Sequence, residues 1–184
     1  EIAHHGYTHR WPDSLSSEVQ RAEFAKGYDL IAELTGTPPK GLRAPVMELT
    51  PTLLEELVRR DMLYSSNMMD DDRPYRHVVD GIKTGVVELP SCWLLDDAPF
   101  FLYSVRIPGR VMQSPDTVYQ MWVAELEGLY AEPDTCFVIA FHPQVIGRPS
   151  RLAMLERFTE YAKAKPGAWL GRCDEIASDL RDRL

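Results

Sequence analysis

Short strand-like segments alternate with segments of helical periodicity along this chain, and that alternation constrains its fold more than any other feature. The predicted strands cover residues 42–45, 62–66, 84–89 and 137–141. The predicted helices run over about 17–36, then from 50–51 and from 114–116, over about 150–164, and from about 174. Phe137–Phe141 is a continuous apolar run, typical of a strand covered on both faces. The alternation predicts an α/β fold with a parallel sheet and right-handed crossovers.

Composition limits the number of domains and the kinds of partner. With 184 residues and 45% hydrophobic composition, the chain can bury one sizeable core, and we predict a single domain over residues 1–184. Its formal charge of -8, with no basic block, argues against a nucleic-acid partner. No apolar run reaches the ~18 residues of a bilayer span, so no membrane association is expected. Cys92, Cys136 and Cys173 are widely spaced, which is typical of a reducing compartment and predicts a cytoplasmic protein.

Side chains capable of chemistry follow the predicted strands. The carboxyl ends of strands are where barrels and open α/β sheets build their active sites. The residues at or just beyond these ends are His5, His9, Arg43, Asp70, Trp93, Asp96, Asp97 and His142. The sequence therefore predicts one catalytic rim that is assembled from several segments.

His5 and His9 stand four positions apart in the segment His5-Gly6-Tyr7-Thr8-His9. On a helical turn their Cβ atoms would lie ~5–6 Å apart. Two nitrogens at ~2.0–2.1 Å from one zinc-like ion can close that gap, although two surface histidines would show the same spacing. A hydrolytic site normally has three protein ligands and an open position for water, so a third ligand must come from elsewhere.

Four segments, taken in order, resemble the motifs of the polysaccharide deacetylase family, carbohydrate esterase family four. His5–His9 is similar to its H-[S/T]-x-x-H motif, and residues 43–45 to its R-x-P motif. Residues 88–97 are similar to its tryptophan and aspartate motif, and Phe141-His142-Pro143 to its late catalytic histidine. The form of residues 141–148 is closer to a sub-branch that contains peptidoglycan-deacetylase-like proteins, allantoinase-like proteins and cyclic imidases.

The resemblance implies a distorted (β/α) barrel of about seven strands, of which this chain would supply about five or six. In the family, an Asp-Asp pair at the end of the first strand supplies a general base and a metal ligand. No such pair precedes His5, so we expect the first strands and the third metal ligand, an Asp, to lie upstream of Glu1; otherwise the protein is catalytically incomplete. Gly6 replaces the usual Ser or Thr, a minor departure because that position does not bind the metal.

The family's roles carry over to the matching residues. His5 and His9 would bind a divalent metal, zinc in the first instance, and His142 would protonate the leaving nitrogen or stabilise the tetrahedral intermediate. Arg43 would orient an acidic partner through a bidentate bond.

Substrate contacts are assigned to Trp93, Asp97 and Tyr75. Trp93 could instead belong to the core, and Asp97, with Asp96, could instead hold Arg43 or His142. Tyr75 closes a polar loop, residues 70–75, that is otherwise a solvated turn.

The implied activity is hydrolysis of a non-peptide carbon–nitrogen bond in carbohydrate metabolism, namely metal-dependent deacetylation of an N-acetylated sugar or peptidoglycan-type substrate. Two alternatives stay open. One is an allantoinase-like or cyclic-imide hydrolase that works without a metal, and the other is a non-catalytic protein that binds a saccharide or small molecule. Homo-oligomers are common in the sub-branch, so a homo-oligomer is expected.

Overall fold

Capping residues followed by proline begin the helices where the sequence predicts them. Thr50 and Ser114 each accept a hydrogen bond from the backbone N–H three residues on, and Gly36 ends the first helix in the left-handed conformation. None of the helices combines the length and the apolar composition that crossing a bilayer requires. The computed structural model describes residues 1–184, with helices α1 (Ser17–Thr35), α2 (Pro51–Arg59), α3 (Ala98–Phe101), α4 (Pro115–Tyr130), α5 (Pro143–Ile146), α6 (Pro149–Lys163) and α7 (Cys173–Arg181).

Four strands form one sheet in the order β1-β2-β4-β3. They are β1 (Gly41–Leu42), β2 (Tyr64–Ser65), β3 (Tyr75–Val79) and β4 (Ile82–Glu88). The pairs β1·β2 and β2·β4 are parallel, as predicted. His4 adds a parallel bridge to Leu42, which brings the start of the chain beside β1.

The prediction of an all-parallel sheet is wrong at the β3 edge, because β3 pairs with β4 in the antiparallel direction. The two strands are joined by Asp80-Gly81, with φ of 50° and 77°. Asp-Gly between two strands is a strong hairpin signal, since a tight turn of this kind needs positive φ at both positions. Tyr75 therefore begins a strand and does not close a polar loop.

The predicted strand over residues 137–141 does not form a ladder. Only Ala140 pairs, in a parallel bridge in which its N–H donates to Leu95 O at 2.8 Å and its carbonyl accepts from Asp97 N at 3.2 Å. The segment is half-buried instead of covered on both faces. An apolar run becomes a strand only where a neighbour pairs along its length, and here the pairing is a single bridge.

The chain divides into two compact units. The first, Glu1–Ser91 with Gly171–Leu184, contains the sheet and a core that includes Phe24, Leu42, Leu57 and Val86. The second, Cys92–Leu170, has a core around the fully buried Trp122, whose indole N–H donates to Leu94 O at 2.9 Å. The single domain predicted for residues 1–184 stays a prediction.

Position 27, inside α1, is a glycine because a buried histidine packs against it. His4 is 1% exposed, and its ring bonds to Phe24 O through Nε2 and accepts the Gly6 N–H at Nδ1. Burial lowers the pKa of His4, which favours this neutral form. A Cβ atom at position 27 would lie 2.6 Å from His4 Nε2. We expect Gly27→Ala to lower the free energy of unfolding by about 1–3 kcal/mol through overpacking.

Gly128 provides the matched control for that substitution. It is an exposed glycine inside α4, and a Cβ atom there would meet nothing within 4 Å. Gly128→Ala should raise the free energy of unfolding by about 0.5–1 kcal/mol, because alanine is the better helix former. Urea unfolding of both variants measures the difference, and effects of the same sign would show that the His4 contact does not matter.

Asp174, in the first turn of α7, forms ion pairs within the first unit. Its carboxylate accepts from Arg172 at 2.9 Å and from Lys40 at 3.2 Å, and the Arg172 bond is the largest cause that lowers the pKa of Asp174 to about 2. A carboxylate with a depressed pKa stabilises the fold above its unfolded pKa of 3.8, and that stabilisation is lost as the pH falls toward 2. Urea midpoints measured between about pH 7 and pH 2 should therefore fall less steeply in Asp174→Asn than in the wild type. Identical slopes would contradict this.

Candidate functional site

His5 and His9 lie in a loop and not on a helical turn. Gly6 and His9 have left-handed backbone conformations, with φ of 76° and 56°. The resulting turn brings the two exposed imidazoles together edge to face, with ring centroids 4.9 Å apart. A Cβ atom at position 6 would also lie 3.0 Å from the Pro45 ring, so glycine fits this turn better than the Ser or Thr of the family motif.

The His5 ring is fixed by the backbone that follows β1. Its Nδ1–H donates to Arg43 O at 2.6 Å, and a carbonyl oxygen can only accept. The proton on Nδ1 leaves the lone pair on Nε2, which is how metal-binding histidines are usually held. The two neighbouring imidazoles, one with its tautomer set, fit zinc or a similar ion.

Arg43 also reaches the neighbouring strand ends. Its Nη2 donates to Ser66 Oγ at 2.7 Å, and that hydroxyl donates to Leu89 O at 2.7 Å. The half-buried guanidinium is thereby held above the carboxyl ends of β2 and β4. The bidentate bond from Arg43 to an acidic partner stays a prediction.

Glu88, at the end of β4, is a fully buried acid outside the predicted site residues. It accepts from Asn67 N at 2.6 Å, Met68 N at 2.8 Å and His77 Nε2 at 2.7 Å. Burial acts to raise the pKa of Glu88, but these hydrogen bonds together hold it below its ordinary value. The signal in the sequence is a glutamate inside an apolar strand, since a buried charge needs partners.

His142 and Asp97, in the second unit, form an oriented pair. The His142 Nδ1–H donates to Asp97 Oδ1 at 2.6 Å, and the His142 backbone N–H donates to both carboxylate oxygens at 3.1 and 3.2 Å. Asp97 is 0% exposed, whereas the His142 side chain is 38% exposed. With Nδ1 carrying the shared proton, Nε2 is the nitrogen that can exchange a proton with a substrate.

This pair decides between the two roles that the sequence leaves open for Asp97. A fully buried carboxylate whose oxygens both bond to His142 does not reach a substrate, so the predicted substrate contact is replaced by an orienting role. Asp96, Asp97 and His142 offer donor atoms within 4.8 Å of one another, which in principle suits a cation. The bond of 2.6 Å between His142 Nδ1 and Asp97 Oδ1 is typical of an orienting pair, and we interpret the cluster as one.

Trp93 and Tyr75 differ in their surroundings. Trp93 lies in a single turn, Trp93–Leu95, and is 43% exposed, which excludes the core role. The Tyr75 hydroxyl donates to Asp70 at 2.9 Å, and burial followed by this bond raises the pKa of Tyr75 above its ordinary value. Their contacts with substrate stay predictions.

Comparison with known proteins places this geometry in a family. A family model described as polysaccharide deacetylase matches residues 1–64, which contain His5, His9 and Arg43. A solved Mycobacterium smegmatis protein assigned to the polysaccharide deacetylases aligns over 100% of this chain, with a TM-score of 0.91 and 30% identity. The comparisons support the polysaccharide deacetylase family, whose model residues 1–64 match directly and whose fold the whole chain shares.

Two further proteins show a similar likeness. The peptidoglycan deacetylase of Helicobacter pylori is 28% identical over 207 residues, covering 100% of this chain and 71% of that protein. The solved PuuE allantoinase is 26% identical with a TM-score of 0.84, covering 99% of this chain. The chain spans 63% of the M. smegmatis structure and 59% of the allantoinase. These likenesses confirm the predicted α/β barrel fold of the polysaccharide deacetylases.

Proposed function

We propose that this protein hydrolyses the amide bond of an N-acetylated sugar of the peptidoglycan type, with zinc held by His5 and His9. The observation that carries the proposal is the pair of imidazoles 4.9 Å apart, one of them fixed through Nδ1 by the Arg43 carbonyl. The peptidoglycan deacetylase of H. pylori, 28% identical to this chain, supports the substrate class.

His5 and His9 would supply two of the three protein ligands of such a site, and the predicted third is an aspartate. A zinc ion bound there would polarise the amide carbonyl and lower the pKa of a bound water. Arg43 would hold the acidic side chain that receives the water proton, since its planar guanidinium bonds a carboxylate at two points.

His142 would deliver a proton from Nε2 to the leaving nitrogen. The Nδ1–H bond to Asp97 at 2.6 Å supports this role, because it fixes the orientation of the ring and leaves Nε2 facing away from Asp97. Trp93, which is exposed, and Tyr75, which is half-buried, would contact the sugar, since their aromatic rings offer both an apolar face and a polar edge. A cytoplasmic location and a homo-oligomeric state remain proposals.

A ureide or cyclic-imide hydrolase is the second candidate. The likeness to PuuE allantoinase at a TM-score of 0.84 favours it. A third candidate, a non-catalytic binding protein, would bind a saccharide without turnover.

Incubation of the purified protein with N-acetylglucosamine oligomers, peptidoglycan fragments, allantoin and cyclic imides separates the three candidates. We expect acetate from the sugars and no ring opening of allantoin or the imides. Ring opening without acetate would favour the second candidate, and sugar binding with no product would favour the third.

A further inference from the structure

Glu88 and Asn67 connect the buried end of β4 to the backbone that holds His5. Glu88 Oε1 accepts from Asn67 N at 2.6 Å, and Asn67 Oδ1 accepts from Ala44 N at 2.6 Å. Glu88 and Ala44 are 0% exposed and Asn67 is 1% exposed, so water does not compete for these bonds. These bonds therefore connect the end of β4 to the segment that follows β1 through the interior of the protein.

The Asn67 side chain has a single orientation. Its amide nitrogen donates to Leu42 O at 3.0 Å and to Ser65 Oγ at 2.8 Å, while its oxygen accepts from Ala44 N. A flipped amide would place donors against the Ala44 N–H and an oxygen against the Leu42 carbonyl. Asn67 is thereby locked between β1, β2 and the segment that follows β1.

The decisive feature is the peptide group between Arg43 and Ala44. Its N–H donates to Asn67 Oδ1, and its carbonyl accepts the His5 Nδ1–H at 2.6 Å. The N–H and C=O of one peptide lie in one rigid plane, so fixing the N–H also fixes the direction of the carbonyl. Glu88 and Asn67 together set where the carbonyl that orients His5 points.

We propose that Glu88 is a positioning residue for the zinc ligand His5, and that it acts through Asn67 and the Arg43–Ala44 peptide. The inference rests on the proposed function only in that it takes His5 as a metal ligand. Glu88 also accepts from Met68 N through Oε1 and from His77 Nε2 through Oε2. These charge-assisted bonds hold both carboxylate oxygens in place. Mutation of residues that hydrogen-bond to a metal ligand and orient it typically lowers metal affinity by about 10- to 100-fold.

The test compares Glu88→Gln with Glu56→Gln. Glu56 is also a buried carboxylate, 2% exposed, but it bonds to Arg21 and Arg59 on the helical side of the same unit. Two quantities are measured in the protein: the zinc dissociation constant, by competition with a chelator, and the tautomer of His5 without zinc, by long-range nitrogen–proton NMR. Glu88→Gln should weaken zinc binding about tenfold or more and mix the His5 tautomers, whereas Glu56→Gln should lower thermal stability only.

Asn67→Ser is the second variant and covers the case in which Glu88→Gln does not fold. It removes the acceptor for the Ala44 N–H and leaves Glu88 with its backbone donors, and it should show the same two changes. Wild-type zinc affinity and an unmixed His5 tautomer in the folded variants would overturn the inference. The His5 tautomer is measured without metal and without turnover. A wild-type protein that binds no zinc would therefore refute the proposed function, while the tautomer result would still confirm or refute the positioning role of Glu88.

Discussion

Replacement of His5 and His9 by alanine is expected to abolish stoichiometric zinc binding and to lower kcat/KM for amide hydrolysis by about a thousandfold or more. A Lewis acid contributes several kcal/mol to the transition state, and each 1.36 kcal/mol is a factor of ten in rate. Both imidazoles are exposed, so the double substitution should leave the fold intact. Metal content after dialysis and initial rates on an N-acetylglucosamine oligomer are the two measurements.

The control for that experiment is Arg10→Ala, an exposed residue directly after His9. It should retain zinc and activity, which shows that any change in the loop is not by itself damaging. A double His variant that kept both its zinc and its rate would place the metal elsewhere in the protein. Zinc lost with the rate unchanged would instead show that hydrolysis does not depend on the metal.

His142→Asn is expected to lower kcat by about 10²- to 10⁴-fold, with KM and zinc content nearly unchanged, because it removes proton transfer and no metal ligand. Asp97→Asn should lower kcat to a smaller extent, since its amide can still accept from Nδ1–H but then presents its NH₂ toward the His142 backbone N–H. Steady-state kinetics of both variants and of the double variant measure these effects.

The double variant carries the stronger test of the pair. If Asp97 acts only through His142, combining the two substitutions should cost little more than His142→Asn alone. Fully additive effects would show that Asp97 acts by another route. Gln144→Ala serves as the control and should leave kcat unchanged. Gln144 is an exposed residue of α5, the short helix that begins directly after His142.

Local signals made the helices predictable from the sequence. Thr50-Pro51 and Ser114-Pro115 combine a capping oxygen with a residue whose φ already suits a helix, so the information lies within a few residues. Asp80-Gly81 is an equally local hairpin signal, but a two-residue turn joins only antiparallel strands, and the alternation of strands and helices predicts parallel ones.

Pairing between distant segments was harder to predict. The run over residues 137–141 has strand composition, yet only Ala140 pairs, because ladder formation depends on a neighbour and not on the run itself. Leu34, an apolar residue of the first helix, is 75% exposed, because helical periodicity does not determine which positions another element covers.

Motif spacing predicts the candidate catalytic and metal-binding residues of the site, but not the buried residues that support them. His5, His9, Arg43 and His142 stand in recognisable order, whereas Asn67 and Glu88 are ordinary residue types whose importance comes from three-dimensional neighbours. The Arg43–Ala44 peptide, which joins His5 to Asn67, carries no side-chain signal at all. Such supporting bonds are visible only once the strand ends are assembled.

Acetate release from an N-acetylglucosamine oligomer, measured before and after removal of metal by a chelator, tests the central claim most directly. We predict release by the metal-loaded protein, loss of release after chelation, and recovery when zinc is returned. Release that continues at full rate after chelation, or hydrolysis of allantoin or a cyclic imide with no acetate from the sugar, would contradict the proposal of a zinc-dependent deacetylase.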